Sequence, residues 1–381
     1  MISFGSHAGP ARTMVPFRAA VATLSASQPA HKGDNNMRAA VFHEPGTPFS
    51  IESVDDPTPG TSQVVIAVKR CGICGTHPTR PRVCQQLARV ICLVLLAMEA
   101  TVALATEANV RFARSYVSHD WGQIHVLRSH PVRASQDIPM VCLPPNPYSG
   151  NYYRLFMEEL GRDRTMLSLD YPGLGQSDVY EGDFSLGTLA NVMAESLYEL
   201  GYGPNGSGPV DLCGYHSGTF VAMELAISHP TLVRKVVMVG IPYFEEPERQ
   251  ELLERLSEIK SWPDAHAATQ ADWEFAVEKR NKLVTLERAY TNFLESARAW
   301  QGKPRIYNAV FRYPAEDRAP LLSHSTLVLN PHTDLMEHSR ALAALLPNAE
   351  VIELPDMQYG IFDVAPKELA ARVRPFLKAP Q

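Results

Sequence analysis

Cysteine is scarce: 6 residues in 381, with Cys71, Cys74, Cys84 and Cys92 near the front and Cys142 and Cys213 in apolar runs. So sparse a set argues against a disulfide scaffold and suits a reducing, cytoplasmic compartment. Positive charge is not in excess. Lys and Arg number 35 against 41 Asp and Glu, a net charge of −6, so no broad nucleic-acid-binding surface is expected. Internal repeats are missing. A long apolar core is also missing from residues 1–36, which mix Gly, Pro, Ala, Ser, His and Arg without a sustained period. That stretch reads as a flexible extension rather than a targeting peptide, with Met37 a plausible alternative start. What remains is ordinary for a soluble globular protein: 45% hydrophobic and 20% charged residues. The length fits two domains, or one large α/β domain with appendages.

Residues 37–79 differ in kind. Alternation over Ala39–His43 and Gln63–Arg70 predicts two strands separated by a Pro/Gly-rich turn, and Cys71-Gly-Ile-Cys74-Gly-Thr-His77 follows. The stretch resembles the opening of a zinc-dependent medium-chain dehydrogenase, in its GroES-like domain. That resemblance implies a zinc-ligand role for Cys74, with His77 standing where an acidic residue usually follows the threonine. It then stops, because no GHE-type histidine, second cysteine cluster or G-x-G-x-x-G loop appears downstream. Zinc needs three or four ligands in fixed geometry. Residues 37–79 therefore read as a remnant or fused fragment, and neither a metal nor a nicotinamide cofactor is expected. In residues 80–110, Arg80, Arg82 and Arg89 precede the apolar run Val90–Met98, which Glu99 interrupts. A buried or partner-facing helix is the first reading. A vestigial signal, or membrane association of residues 90–105, is the other, the run being short for a span.

From Arg111 onward strands and helices alternate. Ser115–Val117 and Gln123–Arg128 flank Asp120-Trp121-Gly122 as a hairpin. Strands are expected at Ile138–Leu143, Thr165–Asp170, Val210–Cys213, Val233–Val239, Ser325–Asn330 and Glu350–Leu354. Helices are expected at Tyr152–Leu160, Leu186–Leu200, after Ser217, at Glu337–Leu346 and at Lys367–Phe376. Residues 243–318 are charged and helical, with little strand signal. Such alternation implies a mainly parallel sheet with helices on both faces.

The centre of the chain is Val210-Asp-Leu-Cys-Gly214-Tyr-His216-Ser-Gly218, followed by an amphipathic segment. An apolar strand, a turn flanked by glycines and a helix resemble the nucleophile elbow, G-x-S-x-G, of the α/β-hydrolase family. Further landmarks agree in order: Asp170-Tyr-Pro-Gly-Leu-Gly-Gln-Ser177-Asp178, the strand at 233–239, and a late acid and tyrosine. The resemblance covers residues 112–379 and implies a helical cap at about 243–318.

Mapped residue by residue, the resemblance gives His216 for the nucleophile, Asp334 for the acid and Tyr359 for the base. Serine and histidine are thus absent from two of the three positions. Pro144-Pro145 replaces the usual H-G segment, and proline has no N–H, so the oxyanion donors become the amides of Asn146 and Ser217. A neutral imidazole can act as nucleophile or base, and the helix dipole at an elbow favours the neutral form. The expected activity is cofactor-free hydrolysis of a small apolar ester, amide or related bond. The alternative is a non-catalytic member that binds a small ligand under its cap. Ser217 as nucleophile, a purely structural elbow, and structural roles for Asp170, Ser177, His332 and His119-Asp120 are the competing readings.

Overall fold

The computed structural model describes residues 20–22, 36–41, 50–55, 110–133, 135–258 and 262–380. Two compact units divide the chain, residues 1–105 and 106–381. In the first, β1 (Ala20–Ala22), β2 (Asn36–Val41) and β3 (Ser50–Asp55) form an antiparallel sheet in that order. Two expectations are corrected here. β1 falls within the stretch read as an extension, and the strand that pairs with β2 is Ser50–Asp55, in the stretch read as a turn. Ile51 and Val54 favour extended backbone through their β-branched side chains, and Asn36↔Asp55 to Val41↔Ser50 give that strand a full partner. The strand expected at Gln63–Arg70, the Cys71–His77 motif and the apolar run at 90–105 lie outside the described residues.

The second unit carries β4 (Val110–His119), β5 (Gly122–Pro131), β6 (Asp137–Leu143), β7 (Arg164–Leu169), β8 (Val210–Tyr215), β9 (Val233–Val239), β10 (Ser325–Pro331) and β11 (Ala349–Leu354). They form one sheet, ordered β11-β10-β9-β8-β6-β7-β5-β4. β4 and β5 are the hairpin, β5 meets β7 antiparallel, and every pair from β7 through β6 to β11 is parallel. β8 is buried at every position, as a strand covered on both faces must be.

One face is covered by α2 (Leu186–Glu199) and α3 (Ser217–Ser228), whose Leu189, Met193, Phe220 and Val221 join the larger apolar cluster. α2 begins at Ser185, whose hydroxyl accepts the Thr188 amide at 3.1 Å, an N-cap bond. The other face is covered by α1 (Arg154–Leu160), α10 (Ile361–Val364) and α11 (Pro366–Lys378). Phe156, Leu160, Phe362, Leu369 and Val373 form the second cluster there. α9 (Met336–Ala343) stops short of the expected Leu346, because Pro347 disfavours helical backbone in the residue before it.

Between β9 and β10 the described residues form helices joined by short loops, with no strand among them: α4 (Glu248–Leu256), α5 (Trp262–Trp273), a π turn at Glu274–Glu278, α6 (Leu286–Arg298), α7 (Gly302–Phe311) and α8 (Ala315–Arg318). This insertion grips the loop after β6. Asn146 Nδ2 donates to Lys303 O at 2.9 Å, the Ser149 amide to Glu295 Oε2 at 3.0 Å, and Arg288 Nη2 to Tyr152 O at 3.0 Å. The insertion is thereby anchored beside the turn that joins β8 to α3. Among the described residues no helix is long and apolar enough to cross a membrane.

Candidate active site at the strand–helix elbow

His216 occupies the turn between β8 and α3 with φ 47° and ψ −121°. Among the described residues it is the one non-glycine with positive φ. A Cβ is disfavoured in that region, at a cost of about 1–3 kcal/mol. The surroundings hold it there. The His216 amide donates to Val239 O at 3.1 Å, and its carbonyl accepts the Thr219 amide at 2.8 Å and the Thr219 hydroxyl at 2.6 Å. The flanking glycines are a steric necessity. A Cβ on Gly214 would overlap the Gly218 backbone, and one on Gly218 would overlap Leu143 O. The expected strand–turn–helix elbow is therefore present in its backbone.

The imidazole lies 3.9 Å from the Tyr215 ring, centroid to centroid, and meets the Tyr359 ring edge-on at 6.0 Å and 85°. Its Nε2 is buried and has no hydrogen-bond partner. Burial pushes the pKa down to about 3, so the ring is neutral at physiological pH. Loss of solvent, rather than the helix dipole expected from the sequence, is the cause of this preference.

Tyr359 is 37% exposed, and its carbonyl accepts Asn281 Nδ2 at 2.9 Å from the insertion. No hydrogen bond joins it to His216. Asp334 is exposed and no hydrogen bond joins it to His216 or Tyr359. Elbow and tyrosine thus come together, and the acid does not orient either of them. The loop turns on itself instead: the Thr333 amide donates to Pro331 O at 2.9 Å, and the Leu335 amide to Thr333 Oγ1 at 3.2 Å. His332 is exposed in the same loop, as the structural reading held.

The two expected oxyanion donors are adjacent, in a closed arrangement. The Asn146 amide donates to Ser217 Oγ at 2.7 Å, so that amide is already engaged by the Ser217 hydroxyl. Ser217 is the first residue of α3, and its amide is among those that a helix leaves without an intrahelical acceptor. The Ser217 side chain is directed into the Asn146 loop, away from the top of the turn.

Several neighbours escaped the sequence reading. Tyr148, Tyr152 and Tyr215 stack in succession at 5.0 and 5.7 Å behind His216. Arg288 donates to Asp363 Oδ1 at 2.8 Å, a nearly buried ion pair behind that stack. His125 Nδ1 and Asp170 Oδ2 form a buried contact at 2.9 Å, and Asp170 Oδ1 accepts the Gly150 amide at 2.7 Å. Asp170 and Ser177 therefore hold loops together, as their structural reading expected. His119 hydrogen-bonds Ser196 Oγ at 2.9 Å beside the hairpin turn. No spacing rule links His125 to Asp170. A lone histidine inside an apolar strand was the available signal. A cavity of about 570 Å³ lies between α2 and the insertion, lined by Asp183, Glu224, Arg312 and Arg318 among others, and does not include His216. Among the described residues no group of three or more His, Cys, Asp or Glu is placed to hold a metal ion.

With sheet order and elbow in hand, the architecture is that of the α/β-hydrolase fold. The family model described as alpha/beta hydrolase fold matches residues 138–259. A protein of Serratia proteamaculans carrying the provisional name carbamate hydrolase RutD is 27% identical over 235 residues, covering 56% of this chain and 79% of that one. Polyketide synthase ThaQ of Burkholderia thailandensis is 23% identical over 244 residues, 62% of this chain, and the match spans only 11% of the synthase. Among solved structures, the enol-lactonase from Burkholderia xenovorans LB400 superposes with a TM-score of 0.58 at 16% identity, covering 70% of this chain and 100% of that one. An alcohol dehydrogenase of Moraxella sp. is 48% identical over 40 residues, 10% of this chain and 12% of that protein.

Proposed function

We propose that the chain hydrolyses a small, largely apolar ester, amide or related acyl bond, with the His216 imidazole as the attacking group. The observation that carries this reading is the unpartnered Nε2 of a neutral ring held on a strained elbow. Strain of this kind, kept at a helix head, is typical of functional positions. Similarity to proteins named as a carbamate hydrolase and an enol-lactonase supports an acyl substrate.

In the proposed reaction the Nε2 lone pair attacks the acyl carbon and the carbonyl oxygen takes up negative charge. The Ser217 and Asn146 amides stabilise that oxygen once it displaces the Ser217 hydroxyl from Asn146. The bond to the leaving group breaks with its electron pair. Tyr359 protonates the leaving group, and the imidazole Nδ1–H, released to solvent, balances the proton that Tyr359 regains. Water then attacks the acyl-imidazole, yielding the carboxylic acid and the original ring.

A second reading, ligand binding without turnover, is favoured by the bonded Asn146 amide and the unengaged Asp334. One experiment separates the two. Short-chain aryl esters are offered to the full chain and to its His216→Ala variant. The hydrolase reading expects turnover in the first and a loss of about 100-fold or more in the second. Full turnover by the variant refutes the role of His216. No turnover in either, with saturable stabilisation by the ester, selects ligand binding.

A further inference from the structure

α6 turns small and polar side chains towards its own unit and large apolar ones towards solvent. Its buried positions are Ala289, Asn292 and Ser296. Leu286, Tyr290 and Leu294, each four residues from the next, are 62%, 49% and 48% exposed. An amphipathic helix normally buries its large apolar stripe. This one has no cover among the described residues. Trp273 widens the stripe, its ring 6.2 Å from that of Tyr290, and Leu283, 77% exposed, precedes it in the turn before α6. We propose that the stripe is the contact surface between two copies of this chain, paired about a two-fold axis with their α6 helices antiparallel.

Area and charge both point to a second copy. At these exposures the five side chains present roughly 500 Å² of apolar surface, towards the upper end for a patch on a monomer, about 300–600 Å². A standard interface takes about 800 Å² from each partner, somewhat over half of it apolar. The stripe thus supplies the apolar part of one interface. Glu287 and Arg298 are both exposed, and their side chains bond to no other described residue. Helical geometry places them along the same edge of the stripe, about 100° and 120° round the axis from Leu286. With the two-fold axis near the middle of the helix, between Tyr290 and Leu294, Glu287 of one copy lies level with Arg298 of the other. Symmetry makes the same contact twice. A lipid surface would make no use of opposite charges so placed.

The reverse face of α6 holds the loop that carries Asn146. Glu295 accepts the Ser149 amide at 3.0 Å, and Arg288 donates to Tyr152 O at 3.0 Å. Pairing therefore braces the helix that fixes this loop.

The test is sedimentation equilibrium of the full chain over a micromolar concentration series, with circular dichroism to establish that each variant folds. A monomer–dimer equilibrium is expected. Tyr290→Asp, at the centre of the stripe, should raise the dissociation constant about 30-fold or more. Glu287→Arg should raise it about tenfold, because two symmetry-related contacts turn repulsive, and adding Arg298→Glu should restore the original value. A chain that stays monomeric, or a dimer indifferent to Tyr290→Asp, overturns the proposal. A double variant that dimerises no better than Glu287→Arg overturns it too. Binding of the monomer to phosphatidylcholine vesicles, lost in Tyr290→Asp, would also overturn it and assign the stripe to a lipid surface.

Discussion

Replacing His216 by glycine and by alanine separates backbone strain from side-chain chemistry. Alanine removes the imidazole and keeps the Cβ that φ 47°, ψ −121° disfavours. Glycine removes both. The strain is worth about 1–3 kcal/mol, and glycine returns about 0.4–1 kcal/mol of it through the freedom it gives the unfolded chain. His216→Gly should therefore be more stable than His216→Ala by roughly 0.5–2 kcal/mol. In a unit of this size that is a difference in Tm of about 1–8 °C. Both variants lose the Tyr215–His216 ring contact, so the contact cancels in the comparison. Urea denaturation followed by circular dichroism at 222 nm gives the free-energy difference directly. An alanine variant as stable as the glycine variant would mean that the turn carries no strain. The structural argument for a functional elbow would then fail, whatever the activity. Under the hydrolase reading neither variant turns over ester, because neither has an imidazole.

Two further outcomes follow from buried charge. His216, with its pKa lowered to about 3, binds a proton less readily folded than unfolded, where the value is about 6.5. Its contribution to stability is therefore present above pH 6.5 and is lost as the pH falls from there toward 3. The loss approaches about 5 kcal/mol for full burial and is smaller for a ring with one edge near solvent; an NMR titration should show its ring resonances flat above pH 5, and a midpoint near 6.5 would refute the burial argument. Arg288→Met leaves the Asp363 carboxylate, 4% exposed, without its cation, and should cost about 3–5 kcal/mol at pH 7. Burial already raises the Asp363 pKa, so the variant should recover part of that loss as the pH falls and the carboxyl takes up its proton; urea melts over a series of pH values below 7 measure the difference.

The sheet was readable because its physics is local. Val233–Val239 is rich in valine, interrupted by Arg234 and Lys235 alone, and the structure gives it the same bounds. Gly214 and Gly218 announced a tight turn because only glycine tolerates backbone in contact with backbone there. Side-chain direction was not readable in the same way. Asp334 lies in the expected loop after β10, and sequence order alone does not reveal that Thr333 folds that loop back on itself. The Ser217–Asn146 bond spans 71 positions, and the His125–Asp170 contact spans 45. Both depend on strand order in the sheet, which no local pattern encodes. In the first unit, β3 was missed because Ser50–Asp55 lacks a clean period of two and owes its shape to pairing with β2.

Whether the imidazole belongs in the elbow, or merely replaces a smaller group, can be decided at Gly240. This residue follows β9 with φ 57°, and a Cβ placed there would stand 3.2 Å from His216 Cδ2 and 3.4 Å from its Nε2. The ring therefore packs on the bare Cα of Gly240. Gly240→Ala carries two penalties, backbone strain of about 1 kcal/mol at positive φ and displacement of the ring. In a His216→Ala background only the first remains. A double-mutant cycle should then give a coupling of about 0.5–2 kcal/mol between the two positions, within the range for residues in contact. A coupling near zero would mean that the ring has room to move and does not depend on Gly240. In that case the unpartnered Nε2 would have no fixed position from which to attack. A strong coupling would make Gly240 the residue that admits an imidazole at the head of α3, and its absence of a side chain would be part of the site.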